Sequence, residues 1–191
     1  RGCVDSITKP VNYFEKPAAA FSFVEVCTNS ESTFTDASTV ESSTIVEWNW
    51  DLSNNSLTDS ITQNTTHTYL TPGLKPVELI TVTSEGCRDT IEHNVEVFDL
   101  PVAQFSHTNE CHGVEISTTD ESTIPNGTID SLSWNLGEST TSNSSNNLHL
   151  YSSEGVYPNT LIVTSDHNCL DTVTHDILVY PIPIAGFTNT N

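Results

Sequence analysis

Methionine is absent from this 191-residue chain, and only five residues are Lys or Arg. No apolar run exceeds a handful of positions. Each shortage excludes something. Against 25 Asp and Glu, the five cations leave a formal charge of −20. A surface this negative cannot neutralise phosphates, which excludes nucleic acid as a partner and disfavours anionic membranes. The short apolar runs exclude insertion of this segment into a bilayer as a helix. The opening Arg1-Gly-Cys-Val-Asp lacks the basic-then-apolar order of an export signal, so a mature piece or internal fragment of a longer protein is expected. Hydrophobic residues make up only 35%. In their place stand 51 Ser and Thr, interleaved with Val, Ile and aromatics at alternate positions. That period of two predicts many short strands rather than disorder, and no stretch keeps the helical 3.6 spacing.

The chain repeats itself, and a repeat constrains architecture before any fold is assumed. Cys3-Val-Asp-Ser-Ile, Cys87-Arg-Asp-Thr-Ile and Cys169-Leu-Asp-Thr-Val share one pattern. Each is followed at constant spacing by an aromatic (Phe14, Phe98, Tyr180), a proline (Pro17, Pro101, Pro183), an alanine (Ala19, Ala103, Ala185) and a phenylalanine (Phe21, Phe105, Phe187). Trp50 matches Trp134, His67-Thr-Tyr69 matches His149-Leu-Tyr151, and Cys27 matches Cys111. Domains are therefore expected at 1–16 (the last strand of a preceding repeat), 17–100, 101–182, and 183–191 (the first strand of a following one).

Within 17–100 the pattern predicts strand A at Ala20–Val24, B at Ser32–Thr35, C at Ile45–Trp50 and a weak edge strand D within Ser53–Asn64. E follows at His67–Leu70, F at Val77–Ser84 and G at Asp89–Phe98. Seven short strands with a Trp on the third form the pattern of an immunoglobulin-like β-sandwich, with Trp50 and Trp134 in the cores. The fold class is thus all-β, a tandem of such sandwiches strung head to tail as a rod.

At this point the residues resemble a known family. Trp50-Asp-Leu-Ser-Asn, then His67-Thr-Tyr69, Pro72-Gly73 and Leu79-Ile-Thr-Val-Thr are similar to the polycystic-kidney-disease (PKD) domain. That family carries Trp-Asp-Phe-Gly-Asp-Gly, then His-x-Tyr, then a strand rich in Val and Thr. Here the signature departs to Trp-Asp-Leu-Ser-Asn-Asn in the first unit and Trp134-Asn-Leu-Gly-Glu in the second. The Gly-Cys-x-Asp-Thr ending and Pro-x-Ala-x-Phe opening resemble tandem repeats in large surface proteins of Bacteroidota. The resemblance implies a secreted or cell-surface location, with adhesin stalks, including those of gliding motility, as the parallel.

Five cysteines at repeated phases imply an oxidising compartment. Two pairings remain open. Within a unit, Cys27 would join Cys87 and Cys111 would join Cys169, leaving Cys3 over. Those positions, however, fall near the A–B and F–G turns, at opposite poles roughly 30 Å apart, whereas a disulfide needs Cα atoms within about 7 Å. The staggered alternative joins Cys27 to Cys169 as a staple between units. Zinc is disfavoured, since there is no Cys-x-x-Cys and the seven His lack ligand spacing.

No catalytic constellation is visible. There is no Gly-x-Ser-x-Gly elbow, no His-Glu-x-x-His and no phosphate-cradling Gly-rich loop. His67 and His149 recur at one strand position, which points to a repeated structural role. The reading is therefore not an enzyme and no resident cofactor. Calcium is the one ion with suitable oxygen donors, at Asp36, Asp51 and Asp120, against a solvated acidic face. Asp followed by Ser or Thr and an aliphatic residue occurs five times, with acceptor hydroxyls at Ser6, Ser60, Thr90, Ser131 and Thr172. This resembles the O-glycosylation acceptor of exported Bacteroidota proteins, implying a glycoprotein. Three of the five share one repeat phase, which a strand start of alternating polarity explains equally. Asn-x-Ser/Thr sites at Asn54, Asn64, Asn126 and Asn143 matter only in a eukaryotic secretory host.

The expected function is mechanical: a stalk or adhesin repeat region of a large surface or secreted protein, or part of a surface filament. Its partners would be neighbouring repeats of the same chain, with lateral self-association or surface polysaccharide as further partners. The alternative is a glycan- or protein-binding module attached to an extracellular enzyme. Trp48 is its binding candidate, because the second repeat has Leu132 there; it is expected to point away from Trp50, toward solvent.

Overall fold

A computed structural model describes residues 2–187, and the chain divides into two compact units between Val97 and Phe98. Among the described residues every regular element is a strand. Unit 1 holds β1 (Phe21–Phe23), β2 (Val26–Cys27), β3 (Glu31–Asp36), β4 (Ile45–Asp51), β5 (Thr65–Thr68), β6 (Gly73–Thr83) and β7 (Arg88–Phe98), whose last residue already counts with unit 2. One sheet runs β1-β3-β5 and the other β2-β7-β6-β4.

Unit 2 repeats the plan with β8 (Phe105–His107), β9 (Glu110–Cys111), β10 (Ile116–Asp120), β11 (Ile129–Asn135), β12 (Thr141–Ser142), β13 (Asn146–His149), β14 (Gly155–Ser165) and β15 (Leu170–Tyr180). Its sheets run β8-β10-β13 and β12-β11-β14-β15-β9. The all-β, repeated immunoglobulin-like sandwich expected from strand periodicity is what forms.

Each sandwich closes over a core built from the inward positions of alternating strands. In unit 1, Phe21, Phe34, Trp50, Leu52, Tyr69, Val77, Leu79, Val95 and Val97 are buried together. In unit 2, Ala103, Phe105, Ile116, Trp134, Leu136, Tyr151, Leu161, Val163, Ile177 and Val179 take the equivalent places. Trp50 is 0% and Trp134 1% exposed. Phe21 and Phe105 meet these indoles edge-on at 5.2 and 5.0 Å between centroids, a favoured aromatic geometry.

Three details differ from the strand pattern. The first strand is broken, so that β1 pairs with β3 while β2 crosses to the other sheet beside β7. In unit 2 the equivalent β9 runs parallel to β15, with Cys111 opposite Tyr180. Strand D of unit 1 is reduced to one bridge between Ser60 and Trp50. Two carboxylates instead hold its loop in turns: Asp51 accepts the N–H groups of Asn55 and Ser56, and Asp59 those of Leu52 and Ser53. Finally, residues 2–16 and 183–187 form no strand among the described residues. An extended segment becomes a strand only against a pairing edge. The remainder of the 183–191 segment lies outside the described residues.

Candidate functional site

The recurring Asp of the Cys-x-Asp-Thr motif ties the last strand of each sandwich to its first. Asp89 Oδ2 accepts the Ala19 N–H at 2.8 Å, and Asp171 Oδ2 accepts the Ala103 N–H at 2.8 Å. Lys16 adds an ion pair to Asp89. The Lys16 hydrogen bond, and after it the Ala19 N–H, hold the Asp89 carboxyl below the usual aspartate range. With Asp59, which holds the Leu52 and Ser53 N–H groups, three of the five Asp-Ser/Thr motifs thus have a structural reason for their aspartate, while Thr90 and Thr172 are exposed. Ser6 and Ser131 are exposed as well. Ser60 is half-buried, within 2.9 Å of the Thr62 hydroxyl.

A second recurring interlock was not visible in the motifs. The segment leading into each sandwich is anchored by an acid to the loop before the Trp strand. Glu15 Oε2 accepts the N–H of Glu41 (3.2 Å) and of Ser42 (3.0 Å), and the Ser42 hydroxyl (2.9 Å). At the same phase, Asp99 Oδ2 accepts from Asn126 Nδ2 at 2.7 Å. In unit 2 the Phe98 ring also stacks on His167, with centroids 3.7 Å apart and planes 7° from parallel. The signal in the sequence was an acid followed 27 residues later by a short hydrogen-bonding residue, at Glu15–Ser42 and again at Asp99–Asn126.

A groove beside Trp48 carries an unrepeated aromatic of unit 1. It is open, about 410 Å³, and lined by Asp36, Ser38, Val40, Ile45, Trp48 and Gln63 among others. The expected outward direction of Trp48 is corrected here. Residues 48 and 50 stand two apart on β4, and side chains two apart share a face. Trp48 accordingly packs half-buried against the edge of the same core as Trp50. Its indole N–H donates to Asp36 Oδ2 at 2.8 Å, and Gln63 Nε2 donates to the same oxygen at 3.1 Å. In unit 2, Leu132 fills this place against the core, and a groove of about 420 Å³ lies beside it.

The three calcium candidates are engaged by the chain itself. Asp36 Oδ1 accepts the Ser38 N–H and Asp120 Oδ1 the Ser122 N–H, while Asp51 accepts those of Asn55 and Ser56. Among the described residues, no three His, Cys, Asp or Glu side chains are grouped to hold a metal. His67 and His149 are packed edge-on against Tyr69 and Tyr151, with centroids 4.5 and 4.4 Å apart.

The within-unit cysteine pairing is corrected too. Cys3, Cys87 and Cys111 carry free thiols, whereas Cys27 and Cys169 are disulfide-bonded. The reason is the length of the last strand. Cys111 lies opposite Tyr180, at one end of β15, and Cys169 immediately precedes Leu170, at the other. An eleven-residue strand separates its ends by roughly 33 Å at about 3.3 Å per residue, far beyond disulfide reach.

Two successive sandwiches with the same core, the same aspartate latch and the same anchored lead-in segment define tandem immunoglobulin-like repeat modules. The family model for the PKD domain matches residues 15–97 and again 99–179, and the chain belongs to that family. A "Microbial collagenase" of Vibrio alginolyticus is 37% identical over 62 residues, covering 32% of this chain and 8% of the collagenase. The chain thus corresponds to less than a tenth of that relative's length. The PKD1 domain of the Vibrio cholerae metalloprotease PrtV is 31% identical over 42% of this chain and 98% of its own, with a TM-score of 0.39. The PKD1 domain of Vibrio anguillarum Epp is 26% identical over 44% of this chain and 96% of its own, with a TM-score of 0.41.

Proposed function

We propose that these repeats are non-catalytic spacers in an extracellular protein, a stalk of the kind that carries a surface adhesin or builds a surface filament. The observation that supports this most is the lead-in anchor, Glu15 to Ser42 and Asp99 to Asn126. A spacer that transmits position needs short, fastened connections rather than free Gly/Ser coil, and the same fastening recurs at the same phase in both repeats. The charge of −20 keeps neighbouring stalks soluble and apart. A disulfide agrees with an extracellular, oxidising location, and we assign its partners as Cys27 with Cys169. Closing so long a loop would stabilise the pair of repeats by roughly 4–5 kcal/mol. Stalks of Bacteroidota gliding adhesins are the proposed type, with O-glycans on the exposed Thr90 and Thr172; an intact mass equal to the bare chain would remove the glycans.

The test is small-angle scattering of the 191-residue chain with and without Asp99→Ala. The stalk reading expects an elongated particle whose distance distribution broadens when the anchor is cut. A compact particle indifferent to Asp99 overturns it. The alternative, a binding module of an extracellular enzyme, draws on the Trp48–Asp36–Gln63 groove. It expects Trp48→Ala to abolish binding of an extracellular polysaccharide that the unmodified chain retains.

A further inference from the structure

We propose that Asn126 is a self-modification site: its side-chain amide is lost through cyclisation onto Gly127, and that loss releases the Asp99 anchor of unit 2 irreversibly. The inference needs the geometry of the anchor and not the stalk role.

Asn126-Gly127 is the sole Asn-Gly pair in the chain. The pair matters because the carbonyl carbon of an asparagine side chain lies within reach of the next residue's backbone nitrogen. A Cβ on that next residue hinders the approach, and glycine has none. Both residues are exposed, in the loop between β10 and β11, so water reaches them. Among the described residues the Gly127 N–H donates to no acceptor, so no hydrogen bond holds that nitrogen back.

The loop itself demands the glycine. Gly127 takes φ 103°, and a Cβ there would come within 2.9 Å of Asp166 Oδ1. Thr128, the next residue, is fixed to the same carboxylate. It donates its N–H at 3.2 Å and its hydroxyl at 3.0 Å to Asp166 Oδ2, and its carbonyl accepts the Asp166 N–H at 3.0 Å. A bulkier neighbour that would shield Asn126 is therefore strained at this position.

On the other side the fastening is the Asn126 amide, whose Nδ2 donates to Asp99 Oδ2 at 2.7 Å. This charge-assisted bond restrains the side chain, and cyclisation has to break it, because Nδ2 is the leaving group. The anchor thus guards the amide while it stands, and the amide is spent when the anchor opens.

The reaction needs water alone. The Gly127 nitrogen gives up its proton and attacks Asn126 Cγ. The new N–C bond closes a succinimide ring, the Cγ–Nδ2 bond breaks, and Nδ2 leaves as ammonia with the displaced proton. Water then adds to one of the two ring carbonyls and opens the ring to aspartate or isoaspartate. Either product sets a carboxylate where Asp99 had a donor, and two close carboxylates repel. The lead-in of unit 2 is left to the bonds that follow, Val102 with Thr123 and Ala103 with Asp171. Unit 1 is exempt. At the same phase Glu15 holds the Ser42 hydroxyl and the N–H groups of Glu41 and Ser42, and none of these is a side-chain amide.

The test incubates the full chain at physiological temperature and pH, beside Asp99→Ala and Asn126→Gln. Peptide mapping that separates aspartate from isoaspartate follows each asparagine, and hydrogen exchange follows the peptides holding Val102 and Thr123. Conversion is expected at Asn126 ahead of the exposed Asn54 and Asn143, and about fivefold faster in Asp99→Ala, the population ratio that one such hydrogen bond maintains. Protection around Val102 and Thr123 should fall in step with conversion, and should hold in Asn126→Gln, whose longer amide cyclises far more slowly. Conversion at Asn126 no faster than at Asn54 and Asn143 overturns the proposal. So does a rate indifferent to Asp99, or a converted chain that keeps its protection, which would make Asn-Gly a turn and nothing more. None of these results bears on the stalk, which scattering tests separately.

Discussion

The two repeats contain a natural experiment on one buried hydroxyl. Tyr69 and Tyr151 occupy the same core position, 6% and 2% exposed. In unit 2 the Tyr151 hydroxyl reaches two acceptors at 2.9 Å, the Leu136 carbonyl and Asn159 Oδ1. In unit 1 the residue at the phase of Asn159 is Val77, and the Tyr69 hydroxyl has no hydrogen-bond partner among the described residues. Replacing Tyr151 by Phe removes the one proton these acceptors share and strands the Asn159 oxygen in a site that is 0% exposed. A buried acceptor left without its donor costs about 1–3 kcal/mol. Replacing Tyr69 by Phe removes a hydroxyl that is already desolvated without return, so the change is near neutral or slightly stabilising. The difference of roughly 2 kcal/mol corresponds to about a thirtyfold change in the population of the open state. Hydrogen exchange followed by mass spectrometry on the full chain reads both units at once. Peptides from β14 and β15 should lose protection in Tyr151→Phe, while those from β6 and β7 hold theirs in Tyr69→Phe. Equal losses in the two variants, or a larger loss for Tyr69→Phe, would refute the reasoning.

Burial, and after it the charges of Asp59 and Asp51, push the Tyr69 phenol up to about 12 from 10. Both states keep the proton below pH 10, so stability is undiminished there; between about 10 and 12 only the unfolded chain releases it and stability falls. Alkaline unfolding of unit 1 should therefore become flatter over that window in Tyr69→Phe. At the acid end, Asp89 is held below its usual range by Lys16 and the Ala19 N–H. Its contribution is present above pH 3.8 and is lost as pH falls through the lower folded value; Asp89→Asn should remove that part of the acid titration measured by circular dichroism. Trp50 donates its indole N–H to the Thr62 carbonyl at 2.9 Å, whereas the Trp134 indole nitrogen has no partner among the described residues. Trp50→Phe should consequently cost about 1 kcal/mol more than Trp134→Phe in denaturant unfolding. A chelator should leave the melting temperature of the chain unchanged, because the Asp36, Asp51 and Asp120 carboxylates already hold backbone N–H groups; a drop on chelation would contradict that.

The repeat, its period, the all-β class and the burial of Trp50 and Trp134 are all legible in the sequence alone, because period-two patterning and recurring residues are local properties of the chain. So was the importance of the Cys-x-Asp-Thr phase, though not its cause: the partner of Asp89 is Ala19, seventy residues away. Interactions at that separation leave no spacing signal in one copy; the Glu15 and Asp99 anchors, which reach 27 residues, leave theirs only as a spacing repeated between the two units. Trp48 could have been placed correctly from strand geometry alone, since two residues apart means the same face. What lies at the end of its side chain, Asp36 and Gln63, only folding brings together. The cysteines divide the same way. Their phases are written in the sequence, but which thiols bond depends on an eleven-residue strand holding two of them at opposite ends, and distance in space belongs to the folded molecule.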